Sequence, residues 1–496
     1  MSRPATPADP AAVDLLIVGG GINGCAIARE AVLNGLSVLL VEKDDLASHT
    51  SSASTKLIHG GLRYLEQYAF ALVREALLER ELLLKAAPHL ITPLTFVLPH
   101  VDTLRPWWIV RAGLYLYDAL AGGGSSLPRS RGLRASDAAY LQPLARPGSG
   151  FVYSDAWVDD SRLTVLNAVD AADHGARIAT RTAFHGARRE GGGWQAVIGD
   201  GEQVRARAIV VAAGAWVPDA LDRMGVTPAG SLRLVKGSHI VVPRLFVGDH
   251  AYMLQQPDRR IVFAIPYRGG TMIGTTDVPV DRPEQAVIGD AEIAYLCAAA
   301  NRHFRKRVTP DDVTGHWSGV RALYDDGASA AQQVTRDYVL EIDEAGPPVL
   351  SVFGGKITTA RALAEDALAR LGPLLGIDPH PVTRARTLPG GMIAGLEQFV
   401  AQVRASHPWL DEARARRMAG AYGSRLIAML EGIDDEAGMG ADLGGGITAV
   451  EARYLRDSEW ARTADDVLRR RTKVGFTMTP DESAAFAAKW DALDQL

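Results

Sequence analysis

The stretch Asp14-Leu-Leu-Ile-Val-Gly-Gly-Gly-Ile-Asn-Gly24 decides the fold: an apolar run of buried-strand length, a glycine turn, then helix-compatible residues to about Asn34. Gly35 supplies a helix stop, and Ser37-Val-Leu-Leu-Val-Glu42 reads as a second buried strand, so the chain opens with a β-α-β unit of an α/β fold. Within it lies Gly19-x-Gly21-x-x-Gly24, whose glycines serve the tight turn, the close approach of backbone to a pyrophosphate, and close helix-to-strand packing. The helix N-terminus then offers its amides to phosphates. Glu42 follows Gly24 by 18 residues, at the end of the second strand, where a carboxylate accepts from an adenosine ribose. Strand, glycines, helix, strand and acid in this order predict a dinucleotide site. The unit alone does not separate NAD from FAD.

Working outward, a strongly helical pattern runs from about Leu62 to Ala87 and stops before Pro88. Beyond Gly122-Gly-Gly124 lies a loop rich in Ser, Pro and Arg, to about Gly150. Between Lys236 and Asp277 short β-rich runs separated by turns predict an antiparallel sheet in a second domain. Ile209-Val-Val-Ala-Ala-Gly214 and Val349-Leu-Ser-Val-Phe-Gly-Gly355 read as buried strands that return to the first domain and make it discontinuous. After Pro389-Gly390-Gly391 helical periodicity continues to the end. The resulting division is a flexible tail (1–13), a discontinuous nucleotide domain (14–85, 150–230, 340–385), a cap (86–149, 231–339) and a helical C-terminal domain (386–496).

The 496 residues suffice for two to four domains, and 47% hydrophobic residues exclude a wholly disordered chain. A formal charge of -5 argues against a protein held to nucleic acid by phosphate contacts. Two cysteines, Cys25 and Cys297, cannot build a disulfide framework; they fit a reducing compartment, with the cytosol the default address, and read as small hydrophobes. No cluster shows metal-ligand spacing. No stretch reaches the ~18 uncharged apolar residues of a spanning helix.

Several longer segments carry a resemblance. Thr50-Ser-Ser-Ala-Ser-Thr-Lys-Leu-Ile-His-Gly-Gly-Leu-Arg-Tyr-Leu65, Trp157-Val-Asp-Asp-Ser-Arg162, Lys236-Gly-Ser-His-Ile-Val-Val-Pro243, Gly274-Thr-Thr-Asp277, Ser318-Gly-Val-Arg321, Thr335-Arg-Asp-Tyr338 and Ser351-Val-Phe-Gly-Gly-Lys356 join the glycine motif. Together they resemble the respiratory, FAD-dependent glycerol-3-phosphate dehydrogenases. The resemblance implies a glutathione-reductase-like FAD-binding Rossmann domain, an antiparallel β-sheet substrate cap and a helical C-terminal domain. It implies FAD as cofactor, oxidation of sn-glycerol 3-phosphate to dihydroxyacetone phosphate, and electrons passed to a quinone at a membrane surface.

On that basis the cofactor is expected on Gly19, Gly21, Ile22, Asn23, Gly24, Glu42 and Lys43 of the opening unit. Its other contacts are expected from the hydroxyl-rich loop with Thr50, Ser51, Ser52, Ser54 and Lys56, from His59, Gly60 and Gly61, and from Ala213 and Gly214. Gly354, Gly355, Lys356 and Thr358 open a helix that can stabilise an electron-rich flavin edge. His59 is read either as a cofactor contact or as a turn cap.

A near-dianionic phosphate needs fixed cations to replace its hydration, and bidentate guanidinium suits it. Arg63, Arg321 and Arg336 lie in matching motifs and are the expected phosphate ligands, with Tyr64, Asp277 and Lys356 as further substrate contacts. Taken without the family, each arginine reads first as half of a structural ion pair, Arg336 with Asp337 for instance. Oxidation of a secondary alcohol needs a proton acceptor; His239 is the first choice, with Arg321 stabilising the developing alkoxide.

Trp107-Trp-Ile-Val-Arg111-Ala-Gly-Leu-Tyr115-Leu-Tyr117 and Arg469-Arg-Arg-Thr-Lys473 are candidate contacts with a lipid surface, against a buried helix and a solvated charged face. The expected address is the inner face of the cell membrane, peripherally held, and a homodimer is compatible with it. Three further readings stay open: an oxidase that delivers the same electrons to oxygen, an amine or amino-acid oxidase that recognises carboxylate, and a non-catalytic nucleotide-binding sensor.

Overall fold

The computed structural model describes residues 12–101, 105–325 and 337–495. They divide into two compact units, each assembled from segments distant in sequence: the described residues of 1–51, 163–234 and 321–386 form one, and those of 52–162, 235–320 and 387–496 the other.

The first unit is built on a sheet with strand order Val339–Asp343, Val349–Phe353, Glu202–Val211, Ala12–Val18, Val38–Val41, Arg177–Ala179. All neighbours run parallel except Val339–Asp343, which pairs antiparallel at the edge. Ile17 lies between Leu40 and Val210. Leu15, Leu16 and Ile17 are wholly buried, as an unbroken apolar strand must be where both faces of a parallel sheet are covered. Helix Ile22–Leu33 leaves the glycine turn and packs against helix Ala360–Leu375. An antiparallel pair, Phe184–Glu190 and Gly193–Ile198, extends from Glu202–Val211.

The second unit contains a long, mainly antiparallel sheet in the order Val278–Val280, Ser231–Pro243, Gly270–Gly274, Ile261–Tyr267, Ala251–Gln255, Ile91–Pro99, Gly150–Val158, Leu57–Ile58. His239 stands opposite Gly274 in the register. Helices Phe70–Ala86 and Trp107–Leu120 pack on each other beside it. Residues beyond 387 form the expected helical domain, in which helices Glu412–Tyr422, Ala449–Glu459 and Pro480–Asp491 bury Met418, Tyr422, Leu455 and Phe486 in one core.

Four expectations change. The domain bounds shift: residues 52–85 and 150–162 group with the second unit, because Leu57–Ile58 pairs with Gly150–Val158 and that strand with Ile91–Pro99 of the cap sheet, while residues 231–234 and the described part of 321–339 group with the first. The segment expected as tail to residue 13 already pairs at Ala12 with Arg205; residues 1–11 lie outside the described residues. The single helix expected over 62–87 is two elements: a 3-10 segment Leu62–Gln67, then helix Phe70–Ala86. Tyr68 at φ 57° separates them, since a left-handed residue cannot continue a right-handed helix. Finally, the basic run Arg469 to Lys473 is largely interior. Arg471 and Lys473 are each 1% exposed, and Arg470 pairs with Asp466 at 2.5 Å.

Candidate active site

In the first unit the glycine turn is as tight as its sequence requires. Gly19 holds φ 116°, and a Cβ there would lie 2.6 Å from the Ala212 carbonyl oxygen; a Cβ at Gly24 would collide with the Gly19 carbonyl. Gly21 precedes helix Ile22–Leu33 in extended conformation, and the Ile22 amide donates to Ser51 Oγ at 3.0 Å. Glu42 is buried and accepts from the Gly20 amide at 2.7 Å and the Asp44 amide at 2.9 Å. Burial pushes its carboxyl above the ordinary value, against the downward pull of these two amides. Both oxygens keep a lone pair for a ribose hydroxyl. Lys43 Nζ lies 3.9 Å from the centre of the Trp216 ring, and His49 stacks obliquely on the same ring. Ligand atoms of Glu42, Asp44 and His49 gather within 4.8 Å, a grouping the sequence did not reveal; the backbone amides on Glu42 and the His49–Asp44 hydrogen bond at 2.8 Å account for it.

At the other end of this cradle, Gly354 and Gly355 hold φ 74° and 92°, and Asn23 Nδ2 donates to the Gly354 carbonyl at 3.1 Å. Asn23 Oδ1 is buried and finds no donor among the described residues. A flavin dinucleotide fits these residues: it is an elongated group with hydroxyl and ring N–H donors, and the backbone along its path is stripped of Cβ atoms. Ala213 is half-buried and Gly214 exposed at φ 56°, with nothing near enough to meet a Cβ. Thr50 is exposed beside Ser51. Lys356 is half-buried and Thr358 buried at the entry to helix Ala360–Leu375, and Arg321 is half-buried on strand Gly315–Asp325. Arg336 lies outside the described residues.

In the second unit His239 is 2% exposed. Its Nε2 lies 3.0 Å from Thr55 Oγ1, and its ring stacks on Trp317 with centroids 5.4 Å apart at 15°. A Cβ at Gly274 would overlap the imidazole, so the glycine opposite it in the sheet is obligatory. Behind this strand, Glu292 accepts from Ser238 Oγ at 2.8 Å and Thr276 Oγ1 at 2.7 Å, and pairs with Lys236 at 2.7 Å. Burial would raise the Glu292 carboxyl, but the Lys236 ammonium and the two hydroxyls hold it below the ordinary value.

Lys56 departs from its expected role. Its ammonium is buried, bonded to Ser52 O and to both Asp160 oxygens, each at 2.9 Å. Ser54 likewise gives its Oγ to Asp160 at 2.7 Å. Burial pushes the Lys56 ammonium down to about 8, against the pull of Asp160. Burial opposes ionisation of Asp160, yet Lys56 and Lys473 hold its carboxyl well below the usual carboxylate range. His59 Nδ1 accepts from the Gly61 amide at 3.0 Å, the turn-capping arrangement. The Gly60 amide donates to Tyr117 Oη at 2.8 Å, and that hydroxyl donates to Asp155, which Arg80 secures at 2.8 Å. Gly61, at φ 72°, starts the 3-10 segment that carries the half-buried Arg63 and Tyr64. Asp277 is exposed, in the electrostatic neighbourhood of Arg260.

The structure thus brings His239 together with Thr55 and Trp317, and Ser54 together with Lys56, through groups that sequence reasoning did not single out. Asp160, Trp317, Glu292 and Tyr117 are the principal omissions. Asp160 stood in a quoted motif, and its doubled acid, Asp159-Asp160, was the one available signal.

Residues 14–361 match the FAD dependent oxidoreductase family, and residues 381–492 match the C-terminal domain of alpha-glycerophosphate oxidase. The chain belongs to the FAD-dependent oxidoreductases. It is 49% identical to the glycerol-3-phosphate dehydrogenase of Pseudomonas aeruginosa, covering 97% of this chain and 96% of that protein. It is 47% identical to the D-erythritol 1-phosphate dehydrogenase of Brucella abortus, over 98% and 99% of the two. Among solved structures, the glycerol-3-phosphate dehydrogenase from Bacillus halodurans complexed with FAD superposes with TM-score 0.73 at 26% identity, over 98% of this chain and 95% of that one. The Rossmann, cap and helical C-terminal architecture expected from the sequence is the one observed, and the cofactor is FAD.

Proposed function

We propose that the chain oxidises sn-glycerol 3-phosphate to dihydroxyacetone phosphate and passes the electrons to a membrane quinone. The observation that carries this is the 49% identity, nearly end to end, to a glycerol-3-phosphate dehydrogenase. When bound, FAD supplies the hydride acceptor. His239 takes the proton of the C2 hydroxyl, and Thr55 Oγ1 at Nε2 offers the next station in a relay. Trp317 keeps the imidazole from rotating away. Arg63, Arg321 and Arg336 replace the hydration of the phosphate, each charge-assisted hydrogen bond contributing roughly 1.5–3 kcal/mol. Arg321 also stabilises the alkoxide, and Tyr64, Asp277 and Lys356 orient the hydroxyls.

A second reading keeps the chemistry and changes the polyol. The relative that acts on D-erythritol 1-phosphate is nearly as similar, so a four-carbon phosphate competes with the three-carbon one. A third changes only the acceptor: the C-terminal match carries the name of an oxidase, so oxygen competes with quinone. Anaerobic addition of either polyol phosphate tests the first pair, because the true substrate bleaches the oxidised-flavin spectrum at the lower concentration. Bleaching by neither refutes the reading. Re-oxidation by air or by a soluble quinone then tests the acceptor.

For attachment to the inner face of the cell membrane, helix Trp107–Leu120 is the supporting feature. Leu114 and Tyr117 face inward, whereas Trp108 is 68% and Tyr115 66% exposed, with Trp107 and Leu116 also outside. Tyr68 and Phe70 add two exposed rings. Aromatic side chains of this kind lie well at a lipid interface. No helix among the described residues is long and apolar enough to cross a membrane.

A further inference from the structure

Two buried lysines, 417 residues apart, converge on one carboxylate. Asp160 is completely buried; Lys56 reaches both of its oxygens, and Lys473, from the C-terminal domain, reaches Oδ1 at 3.2 Å. Lys473 Nζ also bonds Asp159 and donates to Ser161 Oγ at 2.6 Å, so all three of its N–H groups are engaged. Both lysines hold left-handed backbone, φ 58° at Lys56 and 59° at Lys473. A side chain larger than glycine keeps that conformation only when its surroundings impose it.

The cluster leads directly to His239. Asp160 accepts from the Ser54 amide at 3.2 Å and from Ser54 Oγ, and it also binds the Lys56 ammonium, so the residues on either side of Thr55 are both anchored to it, and Thr55 Oγ1 meets His239 Nε2. The Lys56 ammonium lies 4.9 Å from the Trp317 ring on which His239 stacks. Three residues beyond Lys473, Phe476 meets the same Trp317 edge-on, with centroids 5.6 Å apart, and Tyr267 at 5.7 Å. One short piece of the C-terminal domain therefore supports both contacts that hold the imidazole: its edge, through Asp160 and Thr55, and its face, through Trp317.

We propose that Lys473 and Phe476 are positioning residues for His239. The C-terminal domain thereby forms part of the proton-transfer apparatus. This rests on the reading of His239 as proton acceptor. Replacing either residue lets the imidazole drift from the substrate hydroxyl without touching the phosphate ligands, so turnover should fall while half-saturation holds.

The test compares FAD-loaded wild type with Lys473→Met, Lys473→Arg and Phe476→Leu. Two readouts are taken: the anaerobic rate of flavin bleaching by sn-glycerol 3-phosphate, and hydrogen exchange in peptides covering 50–61. Expected are a saturating rate lower by about tenfold to a hundredfold in Lys473→Met and Phe476→Leu, unchanged half-saturation, partial recovery in Lys473→Arg, and faster exchange in 50–61 for Lys473→Met. Unchanged saturating rates in folded, FAD-replete variants overturn the proposal. If Lys473→Met does not fold, Phe476→Leu decides by its rate alone. If wild type is bleached by neither polyol phosphate, the substrate reading fails separately, and exchange in 50–61 that Lys473→Met leaves unchanged still overturns the positioning role.

Discussion

Thr55 Oγ1 lies 3.0 Å from Nε2 of His239, so the hydroxyl-rich loop and the β-rich strand meet at the one histidine assigned to proton transfer. Replacing His239 with Asn keeps a polar side chain of similar reach but removes the base. The rate of flavin reduction should fall by about a hundredfold or more, with the flavin-to-protein ratio unchanged. A rate within a factor of two of wild type would remove His239 from the chemistry.

Gly24→Ala tests the cradle. The added methyl collides with the Gly19 carbonyl, which belongs to the turn itself and has no side chain to rotate aside. Absorbance of the purified variant should show protein with little or no flavin; a normal flavin content would mean that the turn relaxes at low cost.

Asp160→Asn tests the buried charge cluster. Asp160 has its pKa lowered in the folded state, which therefore binds fewer protons than the unfolded chain between the two values. Its stabilisation is present above the ordinary carboxylate pKa of about 3.9 and is lost as pH falls below it. The variant leaves Lys56 and Lys473 short of a counter-charge and should lose roughly 3–5 kcal/mol near neutral pH. Its thermal midpoint should also change less steeply than that of wild type on acidification; parallel acid profiles would contradict the assignment.

Tyr117→Phe removes only the hydroxyl that accepts from the Gly60 amide. The segment carrying Arg63 and Tyr64 then loses an anchor, and the substrate concentration for half-maximal flavin reduction should rise several-fold with little change in the saturating rate. A lower saturating rate at constant half-saturation would place Tyr117 in the chemical step instead.

Trp108→Ser removes the second most exposed aromatic side chain of the second unit. Co-sedimentation with vesicles containing anionic lipid should weaken while anaerobic flavin bleaching stays as in wild type; unaltered sedimentation would move the attachment surface elsewhere.

Much of this architecture could be read from local sequence. Asp14 to Glu42 contains its own strand, turn and helix signals, because each is set by nearest neighbours: the apolar run, the glycines, the stop at Gly35. The role of Lys56 could not be read in the same way. A lysine among serines looks like a solvated or phosphate-facing residue, and only the fold brings Asp160 beneath it, 104 positions later. The break at Tyr68 was hidden for another reason. Leucine and alanine spacing is continuous from 62 to 87, and the left-handed turn within it has no glycine to announce it. The interior position of Arg471 and Lys473 was equally concealed, since five basic or polar residues in a row look like surface until their partners, Glu459 and Asp159, are known.

The separation of Lys473 from Asp159 by 314 positions bears on the order of events during synthesis. At about 5–20 residues per second, Asp159 emerges roughly 15 to 60 seconds before the lysine that pairs with it. A chain released before residue 473 lacks the contacts that Lys473 makes with Asp159 and Asp160. A stretch made some 314 positions after the aspartate it pairs with acts as the keystone of that site.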